Sequence, residues 1–355
     1  MQRRDFLQWP AWAATAAWAA ESLPKYRVVP GQTQAANPNR YPGRVISSPV
    51  KEERESVSRA LAAAMKQLTG AATVQEAWRT FIDPDDVVGL KVNCSGAPHI
   101  MSHPLIVAEV AERLVDAGVP PAHIYVFERF ENQLIDANYR PELPRGVEIH
   151  AMESGDRRRA NLKHYDPRVF VEVDFFGEEQ TRSFLSSLVS RRLTKIINLP
   201  NMKDHGAAGV TGCLKNIGYG CFSNVARSHR HTKTHTLSFI GTLYQTEPLR
   251  SKTVLHIMDG IRGVWEGGPF VQKDEYLFQP NLLRVTTDPV AADQLLLDII
   301  EAERKRRGWP SVWDRSPEAM KRQRFVREPG HIEFAAALGL GTAERKQIRL
   351  EGVQA

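Results

Sequence analysis

The fourteen residues Lys203 to Asn216, KDHGAAGVTGCLKN, set a histidine and a lysine ten positions apart with little but small residues between them. The spacing is not that of a P-loop, which needs four residues between its first glycine and a Gly-Lys-Ser/Thr; here Gly209 and Gly212 lead to Lys215 and Asn216. Gly206, Gly209 and Gly212 would still let backbone N–H groups approach a bound anion closely. If a helix begins near Ala208, His205 stands just before its N-terminus, where the macrodipole disfavours imidazolium and leaves a neutral base. Such a base suits proton transfer beside a carboxylate or phosphate anchored by Lys215, with Lys203, Thr211, Gly212 and Asn216 around the ligand. The competing reading is a small-residue helix packed on a sheet, with an exposed histidine and lysine.

Three further polar clusters follow apolar runs. Lys91, Asn93 and Cys94 close "VVGLKVNC", and a lysine within an apolar run is unusual enough to favour a ligand role. Asp259, Arg262 and Glu266 lie in "DGIRGVWEGGP", where Asp259 would position a base or bind a cation unless it only makes a turn. In "TTDPVAAD", Asp288 reads as a helix cap and Asp293 as a ligand-binding group. Downstream, "RSHRHTKTH" places His231 and His235 four apart, as paired metal ligands on a helix would be, but without the glutamate of H-E-x-x-H. The positive charge around them favours an anion over a divalent cation. The cysteines, Cys94, Cys213 and Cys221, are odd in number, which speaks for small apolar packing rather than a disulfide framework.

The elements that must position these residues alternate. "VVGLKVN" reads as a buried strand, "HPLIVAEVAERLVDAG" as an amphipathic helix with Pro104 in its first turn and Gly118 as its stop, and "HIYVFE" as the next strand. A strand, helix and strand within about forty residues is a βαβ unit and demands a parallel sheet. "VEIHAM", "TKIINLP", "TVLHIMD" and "NLLRVTT" are further strands, "ESVSRALAAAMKQLTG" and "DPVAADQLLLDIIEAERKRRG" helices, and 177–190 also looks helical. The expected fold is therefore α/β, a largely parallel sheet with helices on both faces, as one large unit or two intimate lobes. In such sheets ligands bind beyond the carboxyl ends of the strands, where the polar clusters fall. Residues 51–306 are expected to form this domain, 21–50 an extended linker or arm, and 307–355 a peripheral cover.

The N-terminus, MQRRDFLQWPAWAATAAWAAES, carries Arg3 and Arg4 before an apolar run closing on small residues. It resembles a twin-arginine signal peptide over residues 1–20, which implies the twin-arginine export machinery as partner and a periplasmic mature chain. The run is too short for a stable membrane span. A net charge of +6 favours an anionic ligand, but acidic and basic residues are intermixed and no nucleic-acid-binding signature is found, so nucleic acid is not an expected partner.

"DDVVGLKVN", "PNMKDHGAAGVTGCLKNIGYG", "LHIMDGIRGVWEGGP" and "TTDPVAADQLL" together resemble the domain of unknown function 362 family, from about Asp85 to Glu303. Many members carry a ferredoxin segment with C-x2-C-x2-C spacing; none exists here, so no iron–sulfur cofactor is implied. A narrower likeness joins His205-x3-Gly209-x-Thr211-Gly212-x2-Lys215 to a segment of nickel-pincer lactate racemases. It implies His205 as proton acceptor, Lys215 as cofactor anchor and His231 as metal ligand; the second catalytic histidine of that family has no counterpart. The expectation is an exported enzyme acting by proton transfer on a small anionic substrate, with a metal or nucleotide-derived cofactor compatible but unidentified. The alternative is a non-catalytic periplasmic binding protein using the same crevice.

Overall fold

The computed structural model describes residues 23–32, 39–154, 164–229, 234–322 and 326–354. Residues 1–20, expected to be a signal peptide, and His231 lie outside them. In chain order the strands are β1 (Arg27–Val29), β2 (Arg44–Pro49), β3 (Val88–Val92), β4 (Ile124–Phe130), β5 (Glu148–Glu153), β6 (Tyr165–Glu172), β7 (Arg182–Ser186), β8 (Lys195–Leu199), β9 (Asn201–His205), β10 (Gly209–Val210), β11 (Thr253–Val264), β12 (Leu277–Phe278), β13 (Leu282–Thr286) and β14 (Arg349–Gly352). The helices are α1 (Arg54–Thr69), α2 (Val74–Arg79), α3 (Pro104–Asp116), α4 (Glu131–Ala137), α5 (Gly212–Cys221), α6 (Thr236–Tyr244), α7 (Leu249–Lys252), α8 (Pro289–Arg306), α9 (Pro317–Arg322) and α10 (His331–Ala337).

The fold is α/β. An eleven-stranded sheet runs β14-β2-β13-β11-β8-β3-β4-β5, with β9 and β12 beside the long β11 and β10 beside β9. Along the main path only β13 runs opposite to its neighbours. Crossover helices must cover both faces of such a sheet, which explains its continuous apolar strands. One face buries Val88, Leu90 and Val92 against the α1 and α3 side chains Leu61, Met65, Ile106 and Val110. The other carries α5, α6, α8 and α10 through Leu214, Ile217, Phe239, Ile240, Leu296 and Ile332. A separate sheet, β1-β6-β7, packs on this second side. Among the described residues no helix is long and apolar enough to cross a membrane.

Three segments differ from the sequence-based expectation. Residues 177–190, expected to be helical, contain β7, because the alternation in "RSFLS" buries Ser183 and Leu185 while the strand pairs with β6; a single π turn follows over Leu188–Arg192. The segment expected as an arm contributes β1 and β2, and β2 lies inside the main sheet between β13 and β14. The cover likewise supplies β14 to that sheet.

Candidate functional site

The central strands place three polar side chains in one row. Lys91 of β3 is the cross-strand neighbour of Asn198 of β8, which neighbours His256 of β11. Alternation turns all three toward α5, since Leu90, Ile197 and Leu255 between them face the opposite core. Lys91 crosses α5 at Gly220, where a Cβ would lie 2.1 Å from the lysine Cε. Its Nζ donates to Glu128 at the end of β4 (2.8 Å) and to the Val92 carbonyl (2.5 Å).

Asn216 of α5 joins this row to the strand ends. Its Nδ2 donates to Asn198 (2.8 Å) and its Oδ1 accepts from Asn93 (3.0 Å), while Asn93 Oδ1 accepts from Lys203 Nζ (2.6 Å). Asn198 Nδ2 reaches His256 Nδ1 and the Cys213 carbonyl, each at 3.0 Å. Lys203 also donates to the Ser95 carbonyl. Lys91, Asn93, Lys203 and Asn216 are thus brought together as one connected network in which each ammonium has acceptors, while His256 Nε2 at its edge is buried without a partner among the described residues. Burial pushes Lys203 down to about 7.

His205 and Lys215 adjoin this network. The helix begins at Gly212, not near Ala208: β9 and β10 form a hairpin with Gly206–Ala208 as its turn, and His205 ends β9. The neutral imidazole expected from a helix dipole therefore has another cause. Burial first, and then the charge of Lys215, push His205 well below its ordinary range. Nδ1 accepts from the backbone N–H of Ala207 (3.1 Å) and Ala208 (3.2 Å), which assigns the ring proton to Nε2. His205 consequently presents a donor, rather than a free basic nitrogen.

Lys215 Nζ sits 4.4 Å from the centroid of the Tyr219 ring, one turn along α5. The Tyr219 ring stacks on His229 at 6.0 Å, and His229 lies 5.6 Å from His205. Burial and then Arg129 lower Lys215 to about 7; burial and then Lys215 lower His229 to about 4. Among the described residues, neither Lys215 Nζ nor His205 Nε2 has a hydrogen-bond acceptor.

The glycines do not leave the helix N-terminus open to an external anion. Asp293 of α8 occupies it, accepting from the N–H of Cys213 (2.5 Å) and of Leu214 (3.0 Å). Gly212 has φ +54° and its Cβ position is 2.2 Å from Asp293 Oδ1, so the glycine admits an internal carboxylate. Thr211 precedes the helix with its Oγ1 buried and without a partner among the described residues. Asp288 caps α8 through the Ala291 N–H (2.9 Å) and also accepts from Gly43 N (2.8 Å).

Asp259 stands apart from His205 and His229. Its carboxylate accepts from His103 N (2.8 Å), Ile261 N (2.8 Å) and Asn201 Nδ2 (3.2 Å), borders a cavity of about 400 Å³ with Glu52, His103 and Arg262, and contacts neither His205 nor Lys215. Asp204 and Glu266 are tied to Arg327 and, through Glu266, to Arg304, so the C-terminal segment locks onto β9. His235 lies against Phe175 and Phe176 with centroids at 5.0 Å. Among the described residues no three His, Cys, Asp or Glu side chains form a metal-ligand set. The three cysteines are free and buried, with thiols pushed up by burial, Cys221 to about 12.

Sequence reasoning passed over Glu128, Asn198, Tyr219, His229 and His256. Glu128 ends a strand beside the one ending in Lys91, and Asn198 interrupts the apolar "TKIINLP"; the rule that singled out Lys91 applies equally to both. His229 stands in the basic stretch RSHRHTKTH, whose charge favoured an anion, but its closeness to His205 arises only when the segment after α5 folds back.

The residues of this site, apart from Arg327, fall within one continuous stretch of the chain. No curated protein matches the sequence. Residues 88–298, more than half of the chain, match the family model described as domain of unknown function (DUF362), and the chain belongs to that family.

Proposed function

We propose that this chain binds a small oxyanion beside Lys215 and His205 and transfers a proton on it. The observation that carries the reading is that two donors of largely buried residues, Lys215 Nζ and the assigned Nε2–H of His205, lie within electrostatic reach of each other and have no acceptor among the described residues. Buried donors are normally satisfied, so a carboxylate or comparable anion is the complementary ligand. In this reading Lys215 is the titrating group, being lowered to about 7, and His205 is the neutral donor that polarises the ligand oxygen. The sequence suggested His205 as the acid/base group and Lys215 as the anchor; in this reading His205 keeps only the donor's side of that role, and Lys215 titrates as well as anchoring. Asn93, Lys203 and Asn216 hold the floor of the site rigid.

Calorimetric titration with glycolate at pH 7.5 tests it. Saturable binding that Lys215→Met abolishes, with Lys91 and Glu128 intact, is expected; binding unchanged in Lys215→Met would remove the site. The locked Nδ1 of His205 also favours a second reading, a binding protein without turnover, because no ring nitrogen is free to accept a proton. Ligand recovered unchanged, without solvent deuterium at its α-carbon, distinguishes the two. Export by the twin-arginine route and a periplasmic location belong to the same proposal; replacement of Arg3 and Arg4 by lysine should retain the chain in the cytoplasm.

A further inference from the structure

Four lysines are buried, Lys91, Lys203, Lys215 and Lys252. Three are satisfied: Lys91 by Glu128 and Val92 O, Lys203 by Asn93 Oδ1 and carbonyls, and Lys252 by Val189 O at 2.7 Å. Lys215 has no acceptor among the described residues and touches the face of Tyr219 instead. An ammonium largely withdrawn from water and without an acceptor is the costly form of this side chain; the neutral amine, with its lone pair unengaged, is the cheap one.

We propose that Lys215 is a nucleophile whose ε-amine forms an imine with the carbonyl carbon of a small 2-oxo acid. This deepens the oxyanion reading above and rests on it. The amine nitrogen bonds to the carbonyl carbon while the π pair moves to oxygen, which takes up a proton. The nitrogen sheds both of its protons in turn, one matching the proton taken up by the alkoxide and one matching that taken up by the departing hydroxyl, so the carbinolamine loses that oxygen as water, and amine and carbonyl become imine and water with no oxidant or reductant consumed. His205 Nε2–H is the donor available to the developing alkoxide, and the neighbouring positive charge of Arg129 and Lys203 suits the acid's carboxylate. The Tyr219 ring offers a flat wall for a planar iminium. Burial lowers Lys215 to about 7, which keeps a large share of the amine unprotonated at neutral pH.

The test uses the full chain with glyoxylate and cyanoborohydride at pH 7.5, followed by peptide mass spectrometry. The carboxymethyl adduct is expected at Lys215 at least ~10-fold faster than at exposed lysines, since an unperturbed lysine amine near 10.4 is almost wholly protonated at this pH. The exposed Lys321 serves as internal reference, and Lys215→Arg should lose only its own adduct. Labelling at Lys215 no faster than at the reference overturns the proposal. Glycolate titration of the same sample separates the failures: glycolate bound without an adduct refutes the imine alone, whereas neither binding nor adduct refutes the oxyanion reading as well.

Discussion

Replacing Lys91 by methionine removes the charge but keeps a stem able to cross α5 at Gly220. Glu128 would be left as a buried carboxylate holding only the N–H groups of Cys94 (3.2 Å) and Arg129 (2.7 Å). Breaking a buried ion pair from one side costs about 3–5 kcal/mol, most of it the stranded charge. With an unfolding entropy of roughly 2.1 cal/mol/K per residue, a chain of this length loses about 0.75 kcal/mol per degree near its midpoint, so Tm should fall by ~4–7 °C. Glu128→Gln should cost a similar amount by stranding the ammonium. The double variant should lose clearly less than the sum, because neither charge then remains. Thermal unfolding of the four proteins by circular dichroism measures this cycle. Single losses below ~1 kcal/mol, or costs that simply add, would refute the claim that the pair is buried and mutually dependent.

Three other outcomes are expected. Gly212→Ala should destabilise by about 2–4 kcal/mol in thermal unfolding, from left-handed strain and displacement of the Asp293 cap, and by less in an Asp293→Ala background where the obstructing carboxylate is gone. His205, His229, His256 and His331 are all pushed below the ordinary 6.5 by burial, His256 to about 3. For these four histidines the unfolded chain binds protons below pH 6.5 that the folded chain refuses, so their contribution to stability is full above 6.5 and falls as pH drops toward 4. His256→Gln should reduce that slope between pH 6 and 5 by up to about 1.36 kcal/mol per unit, read from denaturant midpoints. Finally, Cys94, Cys213 and Cys221 should all resist a disulfide reagent at pH 8 in the folded protein and all react once it is unfolded.

The strands that end in the site were legible because each is a short apolar run closed by polar residues, and α8 because Asp288, Pro289 and its basic last turn mark both ends. β9 was not legible. "NMKDH" has no apolar alternation, and its partner is the far half of β11, reached only because Pro200 separates it from β8. The glycines between His205 and Lys215 were expected to let a bound anion approach the backbone, whereas the carboxylate that Gly212 admits belongs to the chain itself. Their actual partner, Asp293, lies some eighty residues downstream, and only the docking of α8 brings it there. The cause of the neutral His205 was misread for the same reason, since burial and a neighbouring lysine are tertiary effects.

The place of β2 has a consequence for the order in which the chain matures. Residues 44–49 leave the ribosome early, yet their hydrogen-bonding edges are completed by 282–286 on one side and 349–352 on the other. Asp204 and Glu266 likewise wait for Arg327 before their charges are neutralised. Vectorial synthesis can therefore assemble β3, β4, β5 and their helices before the seam through β2 closes. A nascent chain would hold both edges of β2 unpaired until β13 emerges and one of them until β14 does, and chaperone occupancy on that edge should end only once β14 is available to pair.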